Sequence, residues 1–355
     1  MAVIALISNA KNKQDYSCEA RELYAKSNLF RLSYDFAQLV ADKTFILSAK
    51  HALVSARDRL DPYDEDLKSK SPAELDRWAE KVIKKLRRFS NPERDNYIIL
   101  AGKDYYEPLL PFLQSHWLPL ERVGLFERPA RLKELIEAES STNGADLLHL
   151  LFNSCPRYHW NDIEDIPFKD GIYVLFERNE IFKGLDRIVL VGSNPYGMSL
   201  TQRLKDHFIR ESKEASIVRK NIGRSFLNAD SSPYLKIWNK NMTHMTTREE
   251  FGHLIDIKLE ERVERVVSDY LRSSFSFALI PVESNEEKLR IEEGIIATLI
   301  SDKSFKAGEK WFGFYSPIAE IAENGLWNVE GLYGEPLNAG ELEKVKYLTR
   351  FGKTS

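Results

Sequence analysis

Two short apolar runs, closely spaced and differently punctuated, constrain the middle of this chain more than any other feature. The first, Gly171 to Phe176, opens with Gly171-Ile172-Tyr173; the second, Arg187 to Gly192, stops at the turn-forming Ser193-Asn194-Pro195. Runs of this length, bounded by turn residues, read as adjacent strands of a small antiparallel sheet. The segment that follows, Ser199 to Ile209, has a helical period. Leu200, Leu204 and Phe208 recur every four residues and form a face that packs on the sheet, while Arg203 and His207 share the neighbouring face and point at a common ligand.

The series continues down the chain with Leu200-Thr201-Gln202-Arg203-Leu204-Lys205-Asp206-His207, then Asn221-Ile222-Gly223-Arg224-Ser225, Ile291-Glu292-Glu293-Gly294-Ile295-Ile296, Trp311-Phe312-Gly313 and Gly325-Leu326-Trp327-Asn328. In this order the segments resemble the GIY-YIG nuclease family, and within it the restriction-enzyme-like branch, from about Phe168 to about Val329. The resemblance implies an α+β domain with a small antiparallel sheet flanked by helices. It also implies an arginine helix at 200–207, a basic turn at 221–225 and a glutamate helix around Glu292. The second tyrosine of the family falls at Leu190, a side chain that cannot relay a proton.

Phosphodiester hydrolysis needs a group that takes a proton from water, a cation beside the phosphate and charge stabilisation at the leaving oxygen. By resemblance Tyr173 orients or deprotonates the water. A free phenol has a pKa of about 10, so it needs a nearby base or metal-bound water to act. Arg203 suits a bidentate phosphate clamp. His207, one turn on, stands in as the proton acceptor missing at Leu190, because imidazole titrates near neutrality. Lys220 and Arg224 are expected on neighbouring phosphates, and Asn328 at the substrate. Glu292 falls within the apolar sector drawn by Leu289, Ile295, Ile296, Leu299 and Ile300, where a carboxylate is costly unless paired or metal-bound. It is the expected metal ligand, for Mg²⁺ or Mn²⁺.

The amino-terminal half has a different rhythm. Strand-like runs Val3 to Ile7, Thr44 to Leu47 and Tyr97 to Leu100 alternate with helical stretches Glu19 to Val40 and Pro72 to Phe89, which predicts an α/β domain with a mainly parallel sheet. Polar clusters follow each strand, and such strand ends are where open α/β sheets bind ligands. They supply Asn9, Lys11, Lys13, Lys50, His51 and Tyr105, joined by Tyr63 and Asp64. The chemistry suits a base pocket: His51, Tyr63 and Tyr105 to stack, Asn9 to bond a base edge, and Lys11, Lys13 and Lys50 to hold phosphates. Asp64 is the candidate acid if this half is itself catalytic. Segments Leu6 to Lys13, Ala20 to Tyr24, Leu47 to Leu53 and Pro62-Tyr63-Asp64 resemble an uncharacterised phage and bacterial domain family. That family is distantly similar to YaaA-like DNA-binding proteins and to nucleobase glycosylase and transglycosylase folds. Where it carries cysteine this chain has Asn9, and where it carries Tyr-Gly this chain has His51-Ala52.

These readings place a substrate-sensing domain at 1–126, a linker at 127–160 and a nuclease domain at 161–355. The 355 residues carry a formal charge of −3, so no basic coat advertises DNA; yet between Phe168 and Lys240 13 Lys or Arg stand against 8 Asp or Glu, a modest phosphate footprint. The two cysteines, Cys18 and Cys155, suggest neither a disulfide framework nor a zinc knuckle. Met1 to Ile7 lacks the basic start of a signal peptide and no apolar run has membrane-spanning length, so a soluble cytoplasmic protein is expected. The expected function is a metal-dependent DNA endonuclease whose amino-terminal domain selects modified phage DNA in restriction, with a homodimer serving double-strand cleavage. The alternatives are base excision by a glycosylase-like amino-terminal half coupled to strand cleavage, a DNA-repair nuclease, and an inactive nuclease fold kept as a DNA-binding module.

Overall fold

The computed structural model describes residues 2–121, 123–140 and 143–352. It divides into two compact units, Met1–Thr142 and Asn143–Ser355. The first is built on strands β1 (Val3–Ser8), β2 (Lys43–Ser48), β3 (Ala52–Ser55), β4 (Asn96–Leu100) and β5 (Ser115–Trp117) in the order β3-β2-β1-β4-β5. All neighbours run parallel except β2 and β3. The expected α/β sheet is therefore present, with β3 and β5 added at its edges. The β2–β3 connection turns at Ala52, whose φ of 63 lies in the left-handed region that glycine occupies freely. This is the position where the resembled domain family carries glycine.

The longer helices of the unit are α1 (Asn28–Val40), α2 (Pro72–Leu86) and α3 (Arg128–Ser140). The helical stretch expected over 19–40 is broken in two: a short helix at Ala20–Leu23 precedes α1, which restarts at Asn28 where Ser27 caps it by accepting the Phe30 N–H. α2 opens with a capping box between Ser71 and Glu74 and with Pro72 in its first turn; it buries Trp78, Ala79, Val82, Ile83 and Leu86. Within the stretch read as a linker, 128–140 is helix and packs on α1, while Gly144–Ser154 forms helix α4 of the second unit. Leu132 and Leu135 of α3 and Leu147, Leu148, Leu150 and Leu151 of α4 are buried; residues 141 and 142 lie outside the described residues.

In the second unit, β6 (Gly171–Phe182), β7 (Leu185–Ser193) and β8 (Phe275–Pro281) form an antiparallel sheet in the order β8-β6-β7. β6 and β7 are joined by a two-residue turn at Lys183 and Gly184, both with positive φ, a combination that matches the twist of a hairpin. Pairing places Tyr173 opposite Gly192 on one side and Leu279 on the other. Around the sheet lie α5 (Leu200–Phe208), α6 (Ile217–Ala229), α7 (Ile257–Ser274), α8 (Asn285–Ser301) and α9 (Ala339–Phe351). Leu200, Leu204 and Phe208 of α5 join Tyr173 and Leu175 in one core with Ile222, Val267 and Leu271, as their spacing predicted. The segment 221–225, expected as a basic turn, is instead mid-helix in α6, where Gly223 lets the Trp238 indole approach the backbone.

Opposite that core, α4 packs on β7 and buries His149. The Ile188 N–H donates to its Nε2 at 3.2 Å, so Nδ1 carries the proton and donates to the Ala145 carbonyl at 2.8 Å; the ring stacks on Phe182. Burial lowers its pKa from 6.5 to about 4. The unfolded chain therefore takes up a proton that the folded chain refuses, and this site's contribution to stability falls as pH drops from about 6.5 towards 4, by about 3 kcal/mol in all. In an NMR titration of the folded protein the His149 ring is expected to change state near pH 4; a midpoint above 6 would show that the α4 packing is open to water.

Candidate active site

Parts of the second unit that are distant in sequence meet at one cleft of about 450 Å³. β6 brings Tyr173, β7 brings Leu190 to Ser193, α5 brings Arg203, α8 brings Leu289, Glu292 and Glu293, and the 327–331 segment closes the rim. Both strand glycines are explained by close approach. A Cβ on Gly192 would overlap the hydroxyl end of Tyr173, and one on Gly171 would overlap the Ile280 carbonyl on β8.

Tyr173 is buried, with its hydroxyl 2.6 Å from His207 Nε2; His207 Nδ1 lies 2.7 Å from Ser216 Oγ. Loss of water pushes the phenol pKa up to about 12, against the pull of the neighbouring Arg203 guanidinium. His207 is fully buried, and desolvation together with Arg203 and Arg219 holds its pKa well below the usual imidazole range. Burial therefore opposes the expected titration near neutrality: protonation would place a third cation beside those two arginines with no water to support it.

Arg203 anchors one end of its guanidinium on the Ala215 carbonyl at 3.3 Å, and its Nε has no partner among the described residues. Glu292 accepts the Ser193 hydroxyl at 2.5 Å, and burial raises its pKa with a further push from Glu330. Leu289, expected within the buried apolar sector of α8, is 58% exposed, because this end of the helix borders the cleft. Among the described residues no group of three or more His, Cys, Asp or Glu is placed to hold a metal. A single carboxylate bordering open space fits Mg²⁺, which keeps most of its waters.

The cleft rests on a buried carboxylate that the sequence did not single out. Glu177 on β6 accepts the indole N–H groups of Trp311 and Trp327 at 2.9 and 3.0 Å and the Tyr270 hydroxyl. This explains both tryptophan motifs, and it leads directly to Asn328. The Asn328 side chain pairs with the Val191 backbone, accepting its N–H at 3.0 Å and donating to its carbonyl at 2.8 Å.

Residues 157–350, more than half of the chain, match the GIY-YIG domain. The chain belongs to the GIY-YIG family. Residues 4–132 match a second family, DUF6884, of unknown function. Comparison with curated proteins and with solved structures found no match. As a GIY-YIG protein it is a nuclease acting on DNA, and no helix among the described residues is long and apolar enough to cross a membrane.

Three expected DNA contacts of this GIY-YIG unit are otherwise engaged. Lys220 is buried, its ammonium shared between Glu214 and the Lys240 carbonyl, because it lies on the inner face of α6. Arg224 donates to the side-chain oxygens of Asn239 and Asn221 at 2.7 and 2.6 Å, and Asn328 spends its amide on β7. Ser193 and Ser216, which hold Glu292 and His207, were not singled out by the sequence as site residues; Ser193 reads only as part of a turn.

In the DUF6884 unit the strand-end residues do converge. Tyr63 sits at their centre, its hydroxyl 2.7 Å from those of Tyr24 and Ser48 and 3.1 Å from Asn9 Nδ2. Asn9 Oδ1 accepts from Tyr105 at 2.6 Å, so its amide is turned into this network and not offered to a base edge. The Tyr105 ring packs edge-on against Trp78. Lys13 and Lys50 lie over the Tyr63 ring at 4.7 and 5.7 Å, with the His51 ring edge-on at 5.2 Å. Lys11 and Asp64 are exposed.

Gly192→Ala is expected to leave the sheet folded but to drive the Tyr173 hydroxyl away from His207, lowering DNA cleavage by about a hundredfold. Wild-type cleavage by a folded variant would mean that the Tyr173 position is not needed.

Proposed function

We propose that the protein is a metal-dependent DNA endonuclease of the restriction-like kind, cutting at the Tyr173–Arg203–Glu292 cleft, with its amino-terminal unit choosing the DNA. The observation that carries this reading is that these three side chains, distant in sequence, line one cleft. Its charge balance supports the metal. Glu292, Glu293 and Glu330 line it against Arg203, so a phosphate entering without an accompanying cation meets net repulsion. Glu292 would hold Mg²⁺ or Mn²⁺, which would supply positive charge to offset that of the phosphate. Arg203, whose side chain lines the cleft, clamps the phosphate, and Tyr173 orients the attacking water. Ser193 fixes the carboxylate rotamer. A second copy of the chain supplies the cut on the opposite strand.

Selection rests on the face around Tyr63, where Lys13, Lys50 and His51 surround an aromatic ring. A base stacked there with its phosphate on the lysines fits the chemistry of this face, and modified phage DNA is the substrate this reading favours.

Glu292→Gln keeps the acceptor for Ser193 but removes the charge, so it is expected to lower Mg²⁺-dependent cleavage at least about a hundredfold while leaving the fold as stable or more so. Arg203→Ala is expected to act mainly on kcat. Unchanged turnover in either variant would remove that residue from the mechanism. For the amino-terminal unit, His51→Ala in the full chain is expected to cost about 1–3 kcal/mol of base binding, roughly tenfold or more in preference between modified and unmodified DNA, while a permissive substrate is still cut. Retained preference would locate selection elsewhere.

A further inference from the structure

The buried line Tyr173–His207–Ser216 contains one imidazole between two hydroxyls, and its protons can be counted. His207 Nε2 faces the Tyr173 oxygen and Nδ1 faces the Ser216 oxygen. A neutral ring has one N–H, so one of these contacts receives its proton and in the other the ring accepts. We infer that Ser216 sets this choice: its hydroxyl donates to Nδ1, which places the single N–H on Nε2, aimed at the Tyr173 oxygen. Ser216 is then a positioning residue, and His207 a neutral donor to the phenol oxygen instead of an acceptor of its proton. This rests on the nuclease reading above.

Three observations carry the assignment. Ser216 caps α6, so its Oγ already accepts the Arg219 N–H at 3.2 Å. If it also accepted from Nδ1, its own proton would be buried with no acceptor among the described residues, a costly state; donation to Nδ1 satisfies the serine and the ring and leaves the outward proton to Tyr173. The second observation is charge. The ring faces Tyr173 on β6, Arg203 on α5 and Arg219 on α6, and the Arg219 guanidinium is paired with Glu264 on α7 while donating to the His207 carbonyl at 3.0 Å. A proton moved from Tyr173 to His207 would create a buried third cation beside two arginines. Thirdly, Tyr173 borders the cleft and Ser216 does not, so of the two hydroxyl protons the phenol's is the one beside space that water can enter.

The consequence for the reaction is specific. Tyr173 works from its phenolate: the phenol proton leaves through the cleft to solvent, and the oxygen left behind faces Nε2–H and Arg203. The phenolate then takes a proton from water as the water oxygen bonds to phosphorus. The bond from phosphorus to the leaving oxygen breaks, and its electron pair departs with that oxygen. Since burial raises the phenol pKa, cleavage should climb about tenfold per pH unit through the neutral range, without an inflection where imidazoles titrate.

The test is nitrogen NMR of the metal-free, full-length protein labelled with ¹⁵N-histidine, from pH 5.5 to 8.5, with His207→Gln used to assign the signal. The expected spectrum has His207 protonated at Nε2, bare at Nδ1 and unchanged across the range. Protonation at Nδ1, or a titration within that range, overturns the proposal. Ser216→Ala is expected to shift the ring towards the other tautomer and to lower kcat about tenfold at unchanged KM, with Ser216→Thr restoring both; an Ala variant that keeps the wild-type tautomer also overturns it. If Ser216→Ala does not fold, the wild-type spectrum still decides. The tautomer is read without cleavage, so absence of nuclease activity alongside the expected spectrum would fault the functional reading and not this one.

Discussion

The active cleft depends on burying a tyrosine hydroxyl at the joint between sheet and helix. Tyr173 crosses from β6 over a residue that has no side chain, Gly192, and reaches His207 on α5. The contact sets how closely α5 approaches the sheet, which places Arg203, one turn earlier, at the cleft. Its environment also sets the chemistry. With water excluded, the imidazole is kept neutral and the phenol reluctant to ionise, so the pair cannot behave as the same two groups would in solvent.

A second buried group maintains the far wall. Glu177 gathers two tryptophans and a tyrosine, and burial raises its pKa against those donors. Trp327 leads into Asn328, which locks onto the β7 backbone at Val191 beside Gly192. Both walls of the cleft are therefore fixed by buried polar contacts, whereas its open face is acidic. That division separates positioning, supplied by the protein, from neutralisation of charge, assigned here to Arg203 and a bound cation.

Much of this was legible in the residues. Strand runs bounded by turns, and the four-residue period of Leu200, Leu204 and Phe208, located the sheet and α5, because burial imposes periodicity on apolar residues. The spacing of Arg203 and His207 put both on one face of α5, and the structure adds that Tyr173 meets this face at His207. What sequence could not show was where a polar side chain ends up. Lys220 reads as a DNA cation until α6 turns it inward to Glu214, and Asn328 reads as a substrate contact until its amide meets Val191. Asn9 is similar, consumed by Tyr63 and Tyr105. The converse failure concerns Ser193 and Ser216. Serine is common on surfaces and at caps, so nothing in the sequence marks these two as the groups that orient a carboxylate and an imidazole.

The central claim is that this cleft hydrolyses DNA only when a divalent cation sits with Glu292. The most direct measurement is strand cleavage of duplex DNA by the full chain, in parallel with Mg²⁺, with Ca²⁺ and with EDTA, at fixed ionic strength. The account predicts breaks with Mg²⁺, their loss in EDTA and their return when Mg²⁺ is added back. Equal cleavage in EDTA would contradict it, since Arg203 alone would then have to offset the phosphate charge in a cleft lined by three glutamates.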